Sequence, residues 1–146
     1  MTAEVSGEAF AHPVEREIGR VVGDEPGPTL VAVAGIHGNE RAGIHAARRV
    51  LETLARRQGR IRGELVAFAG NMAAMRAGRR YLERDLNRVW TEEQFAAIAA
   101  KAPPERDAED REQLELLGAI ETAIARARGQ VYLVDLHTTS ADGFPF

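Results

Sequence analysis

Residues 30–40 read Leu30-Val31-Ala32-Val33-Ala34-Gly35-Ile36-His37-Gly38-Asn39-Glu40, an unbroken apolar run followed by a polar turn punctuated by glycine. A strand that is apolar at every position is buried on both faces, and such strands belong mainly to parallel α/β sheets. The glycines after it allow backbone to crowd the strand end, where open α/β sheets put their ligands. His37 leaves that end, and Glu40 is expected in the first turn of the next helix, so both side chains can point at one spot. Read alone, the pair fits equally well a helix-start acid favoured by the macrodipole beside an incidental polar His.

After this turn, Ile44, Ala47, Leu51 and Leu54 recur at helical spacing between about Asn39 and Arg57, with Arg48, Arg49, Arg56 and Arg57 mostly opposite. Gly63–Gly70 repeats the buried-strand pattern, completing a strand, helix, strand unit. Upstream, Glu17–Val22 reads as another strand, joined to Thr29–Gly35 by a tight connection through Gly23-Asp24-Glu25-Pro26-Gly27-Pro28. Downstream, Leu114, Leu117, Ile120, Ile124 and Ala127 predict a core-facing helix closed by Gly129, and Val131–Leu136 a third buried strand. The stretch from Lys101 to Asp110, with Pro103-Pro104, reads as an exposed loop.

The fold class is therefore α/β, a mixed but largely parallel sheet flanked by helices. With 146 residues the chain has room for one domain and not for two. Zero cysteines exclude disulfide scaffolds, Cys-based zinc sites and thiol nucleophiles, so any metal must be held by His, Asp or Glu. No segment reads as a membrane span or secretory signal, which makes a cytoplasmic location the expectation. Residues 1–40 hold 2 Arg against 7 acids and 92–121 hold 3 bases against 9 acids, whereas 41–91 hold 12 Arg against 4 acids. A basic middle raises nucleic acid as a partner, but aromatics are only 5% and none interleaves with the Arg residues of 41–62, so a solvated helix face is preferred.

Two further motifs carry chemistry. Val134-Asp135-Leu136-His137-Thr138-Thr139 offers a second His at the end of an apolar strand, and two strand-end His with one Glu form the ligand set of a zinc site with an open position. A core His satisfied by backbone is the alternative for His137. In Arg79-Arg80-Tyr81-Leu82-Glu83-Arg84-Asp85-Leu86-Asn87-Arg88, Asp85 can accept the free ring N–H of a ligand His, Arg88 supplies a planar fork for a carboxylate and Asn87 an amide donor. Taken alone, this segment is also simply a charged loop.

His37-Gly38-Asn39-Glu40, Asp85-Leu86-Asn87-Arg88 and Asp135-Leu136-His137-Thr138-Thr139, in this order, resemble the succinylglutamate desuccinylase and aspartoacylase family of zinc carboxypeptidase-like hydrolases. The resemblance spans roughly residues 30–143. It implies that His37, Glu40 and His137 bind one Zn²⁺, that Asp85 backs a ligand His, that Asn87 and Arg88 grip the substrate's α-carboxylate, and that Arg80 polarises the scissile carbonyl. It implies hydrolysis of an amide or ester in a small, carboxylate-bearing N-acyl amino acid; from the composition and the absence of a long apolar run, neither nucleic acid nor membrane is expected as a partner. The alternative is a non-catalytic metal-binding or structural module of the same fold. Homo-oligomerisation is left open, as are the acyl group and amine.

In the family the general-base Glu lies well beyond the third ligand, whereas this chain ends at Phe146. The expectation is a chain truncated after the strand carrying the third ligand, with residues 1–146 the N-terminal part of one catalytic domain and the following β-rich domain absent. Such a chain would be hydrolytically inactive even with zinc. Glu83 and Asp142 are the conceivable substitute bases, the first expected in an exposed loop and the second in a turn.

Overall fold

The structure, a computed structural model, describes residues 14–57 and 60–138. Four strands, β1 (Glu17–Val22), β2 (Glu25–Ala34), β3 (Arg62–Ala69) and β4 (Val131–Leu136), form one sheet in the order β1-β3-β2-β4. β2 is parallel to both β3 and β4, and only β1 is antiparallel. The mixed, largely parallel sheet expected from the apolar runs is therefore present.

The helices are α1 (Ala42–Ala55), α2 (Met72–Arg76), α3 (Glu92–Ala100) and α4 (Ala108–Arg126). β2 divides its side chains between two cores, as a doubly covered strand must. Val31 and Val33 pack with Phe68, Leu86, Val89 and Leu116 on one face, while Ala32 packs with Val21, Ala47 and Leu51 on the other. α1 covers this second face through Ile44, Ala47 and Leu51, with Arg49, Arg56 and Arg57 exposed. Among the described residues, no helix is long and apolar enough to cross a membrane.

Several expectations need correction. β1 and β2, adjacent in sequence, do not pair, because β3 lies between them. The link crosses the end of β3, where the Gly23 N–H donates to the Gly63 carbonyl at 2.8 Å, and β2 already begins at Glu25. β4 is not buried: it pairs on one side with β2, and Tyr132, Leu133 and Val134 are 50%, 55% and 39% exposed. The segment before α4 is not a plain loop, since Pro103–Glu105 forms a 3-10 turn and Asp107 caps α4 by accepting the Asp110 N–H at 2.7 Å. α4 packs Ile120 of the expected stripe against the core, but its most deeply buried residues lie elsewhere. Glu109, Asp110, Glu112, Gln113, Leu116 and Ala123 are its buried residues, while Ile124 is 49% exposed. An apolar stripe does not predict this face, because its inner part is charged and is satisfied by partners on other elements. Finally, α4 ends at Arg126 with Ala127 as its C-cap, and Gly129 is not among the positive-φ residues.

α2 and α3 were not foreseen. α2 has five residues, less than one period and a half of an amphipathic pattern, and α3 buries only Ile98.

Candidate functional site

The parallel register sets the site. Ala34 pairs with Ala69 on one side and with Leu136 on the other, so β2, β3 and β4 end side by side. His37, Asn71 and His137 each follow one of these ends. The turn after β2 needs its glycines: Gly35 has φ +76, and a Cβ on Gly38 would lie 2.4 Å from the Ala74 carbonyl carbon and the Met75 nitrogen. That contact, with the Gly38 N–H donating to the Arg80 carbonyl at 3.0 Å, docks the His37 turn against α2 and the 79–88 loop.

Glu40 is not in the first helical turn. It lies in the connecting turn, its N–H donating to the His37 carbonyl at 3.0 Å, and α1 starts at Ala42 behind it. The macrodipole reading of Glu40 therefore falls away. Its carboxylate instead faces both His rings: Oε1 is 2.8 Å from His37 Nδ1, and Oε2 is 3.2 Å from His137 Nδ1 and accepts the Thr138 N–H at 3.2 Å. Ligand atoms from His37, Glu40 and His137 lie within 4.8 Å of one another. His37 and Glu40 are buried and His137 is exposed at the rim, so His137 is not a core His satisfied by backbone.

Each ring's other nitrogen meets a carboxylate as well. His37 Nε2 is 2.9 Å from Asp85 Oδ1, and His137 Nε2 is 2.5 Å from Asp135 Oδ2. Asp135 went unnoticed in the sequence, although the signal was available: positions two apart along an extended chain share a face, so Asp-x-His brings the two side chains together. A neutral imidazole has one N–H and one lone pair. A ring flanked by carboxylates at both nitrogens therefore has a lone pair turned towards an acceptor unless a cation or a second proton intervenes. In both rings the nitrogen that faces Glu40 is Nδ1, and two imidazoles with one carboxylate are a fitting donor set for zinc.

Burial opposes ionisation of Glu40 and Asp85. With no metal ion present it is outweighed by the close approach of the His37 ring to both, of the Thr138 N–H and the His137 ring to Glu40, and of the Asn87 N–H to Asp85, so both carboxyls are held below their usual range. Arg80 adds positive charge, with Nη1 3.7 Å from Glu40 Oε1 and Nη2 3.8 Å from Asp85 Oδ2.

The 79–88 segment is more than a charged loop. Leu86 is fully buried and Val89 nearly so, and Asp85 caps the 3-10 turn Leu86–Arg88 by accepting the Asn87 N–H at 3.0 Å. Arg88 stands out from it, 81% exposed, with Nε 3.6 Å from Asp85 Oδ2. Asn87 lines an apolar groove of about 300 Å³ with Trp90, Leu116, Leu133 and Asp135. Glu83 is exposed, whereas Thr139 and Asp142 lie outside the described residues.

Known proteins resemble this chain in sequence and in fold. The chain is 37% identical over 111 residues to succinylglutamate desuccinylase of Burkholderia pseudomallei strain 1710b, covering 75% of this chain and 30% of the relative. It is 36% identical over 110 residues to that of Burkholderia cenocepacia, with the same coverage. The chain thus spans about a third of the length of these relatives. Among solved structures, succinylglutamate desuccinylase from Chromobacterium violaceum superposes with a TM-score of 0.63 at 29% identity, covering 81% of this chain and 35% of the other. The enzyme from Vibrio parahaemolyticus gives 0.63 at 18% identity over 82% and 34%, a likeness of fold alone. The profile of the Succinylglutamate desuccinylase/Aspartoacylase catalytic domain matches residues 26–143, a span that takes in the His37 turn, the Asp85 loop and the His137 strand end together. A match running through all of them settles the lineage: the chain belongs to the succinylglutamate desuccinylase/aspartoacylase family.

Proposed function

We propose that the protein is a zinc-dependent hydrolase cleaving the bond between an acyl group and the nitrogen of a small, carboxylate-bearing amino acid, with His37, Glu40 and His137 as ligands. The observation that supports this most is the paired geometry of the rings, each with Nδ1 towards Glu40 and Nε2 against a carboxylate. Bound there, zinc supplies the Lewis acidity that polarises an acyl carbonyl and makes water a nucleophile near neutral pH. Asp85 and Asp135 accept hydrogen bonds from the Nε2–H groups, fixing the tautomers so that both Nδ1 lone pairs stay aimed inward. To Arg80, beside Glu40 and Asp85, we assign stabilisation of the negative charge that develops on the carbonyl oxygen. To Arg88 and Asn87 we assign the grip on the substrate's α-carboxylate, a planar fork with an amide beside it. The name of the relatives, succinylglutamate desuccinylase, supports an N-acylated amino acid as the substrate class.

Kinetics of the zinc-loaded protein expressed from its whole gene test these assignments. Arg88→Lys keeps the charge and loses the fork, so it should mainly raise KM for an N-acyl amino acid, while Arg80→Ala should mainly depress kcat. Wild-type kinetics in Arg88→Lys would put the carboxylate elsewhere. Tight zinc binding without turnover of any N-acyl amino acid would favour the non-catalytic module.

Asp135 is tested without turnover. Asp135→Ala should weaken zinc binding about 10–100-fold, as Asp85→Ala should, because each frees a ligand ring to rotate and to change tautomer. Chelator competition reads the effect, and an unchanged affinity would leave Asp135 with no part in the centre.

A further inference from the structure

The first turn and a half of α4 carries three buried carboxylates, Glu109, Asp110 and Glu112, and none of them belongs to the His37–Glu40–His137 cluster. Glu109 is fully buried, and its three partners on other residues, Leu82, Glu83 and Asn71, lie on the segments that build the site. Its Oε1 accepts the Leu82 N–H at 2.7 Å and the Asn71 side-chain amide at 3.0 Å, and its Oε2 accepts the Glu83 N–H at 3.0 Å. Asn71 stands at the end of β3 and caps α2 by accepting the Ala74 N–H at 3.0 Å. Leu82 and Glu83 lie immediately before Asp85, within the loop whose Arg80 carbonyl accepts the Gly38 N–H. Glu109 therefore ties together the end of β3 and the approach to Asp85.

Its chemistry is specific. An ionised carboxylate is costly to bury unless its oxygens are well satisfied, and where packing alone is needed an apolar residue does as well or better. Burial does oppose ionisation of Glu109, but hydrogen bonds from the Leu82 N–H, Asn71 and the Glu83 N–H outweigh it and hold the carboxyl below its usual range. All three partners are donors. Only a group that accepts on both oxygens satisfies them, and a carboxamide, with one acceptor and one donor end, must turn an N–H towards a backbone N–H.

We propose that Glu109 is a positioning residue for the metal centre: by clamping the Leu82 and Glu83 N–H groups it sets the loop that brings Asp85 to His37 Nε2 and carries Arg80, Asn87 and Arg88. The proposal rests on the zinc reading above for its first test and on the metal-free contact alone for its second. In the first, Glu109→Gln weakens zinc binding about 10–100-fold by chelator competition, the range for loss of a group that orients a ligand. The Glu109→Gln/Asp85→Ala double variant then binds no more weakly than Asp85→Ala, because both act through one contact. Unchanged zinc affinity in Glu109→Gln, or full additivity in the double variant, overturns the proposal. The second test is hydrogen exchange on the zinc-free protein. The Leu82 and Glu83 amides and the His37 Nε2 proton should be protected in the wild type and lose protection together in Glu109→Gln. A His37 proton that keeps its protection overturns the proposal even if zinc never binds, and its loss upholds the proposal even if the zinc reading fails. Should Glu109→Gln not fold, the wild type decides: Leu82 and Glu83 amides exchanging at exposed-loop rates exclude the clamp, and protected ones support it.

Discussion

Glu40→Gln is expected to cost the protein more zinc affinity than any other single substitution that preserves side-chain size. The Glu40 carboxylate lies between His37 Nδ1 at 2.8 Å and His137 Nδ1 at 3.2 Å, so it is the group both rings address. An amide there removes the negative charge and can turn a donor towards the ion, and its loss as a direct ligand should exceed the ~10–100-fold expected when Asp85 or Asp135 is removed. The fold should survive, because the core clusters of α1 and β2 do not include Glu40. Chelator competition with circular dichroism on the same samples separates the two effects. A Glu40→Gln protein that is folded and binds zinc within about tenfold of the wild type would contradict the proposed centre, since removing a true ligand outweighs removing its support.

Asp110→Ala is expected to be the most damaging single change to stability outside the apolar core. The Asp110 side chain is fully buried, with Oδ1 2.5 Å from Arg84 Nη2 and Oδ2 2.6 Å from Lys101 Nζ; Oδ2 also accepts the Asp107 N–H at 3.1 Å. Breaking a buried pair by removing one partner costs about 3–5 kcal/mol. Because Arg84 and Lys101 keep part of their surface in water, at 28% and 38% exposure, the low end applies, about 3 kcal/mol. That corresponds to a fall in Tm of roughly 6–12 °C for a chain of this size.

The pH dependence has a definite sign. Burial opposes ionisation of Asp110, but the bonds from Lys101 and the Asp107 N–H and the charge of Arg84 hold its carboxyl below the ordinary 3.8. Between the two values the unfolded chain binds the extra proton, so the contribution is complete above about pH 4 and is lost as pH falls through the folded value. The difference in Tm between wild type and Asp110→Ala should therefore narrow on acidification. A difference that stays constant down to pH 3 would show that the carboxylate's charge is not what α4 uses.

Asp110 also shows why the charge pattern was open to misreading. Segregation of Arg into 41–91 and of acid into 92–121 is visible in the composition, but partners are not. In the fold, Asp110 meets Arg84 and Glu109 meets the Leu82 and Glu83 N–H groups, so part of the acidic helix neutralises or satisfies the segment that carries the site loop. In the sequence, Glu109 and Asp110 are indistinguishable from acids placed in a first helical turn to suit the macrodipole.

Features that depend on near neighbours along the chain were legible before any folding was known. The all-apolar run 30–34 specified a strand covered on both faces, the 44, 47, 51 spacing specified α1, and the glycines at 35 and 38 specified a turn tight enough to bring His37 against other backbone. Tertiary packing settled the rest: that β3 separates β1 from β2, that β4 stands at the edge, that α4 turns carboxylates inward, and that Asp135 lies against one ring as Asp85 lies against the other. The reason is range. The bonds Asn71–Glu109, His37–Asp85 and Glu40–His137 join residues 38, 48 and 97 positions apart, and periodicity, caps and turn chemistry act within a few residues along the chain, so whether a buried polar group is satisfied depends on which strand ends the sheet register brings together.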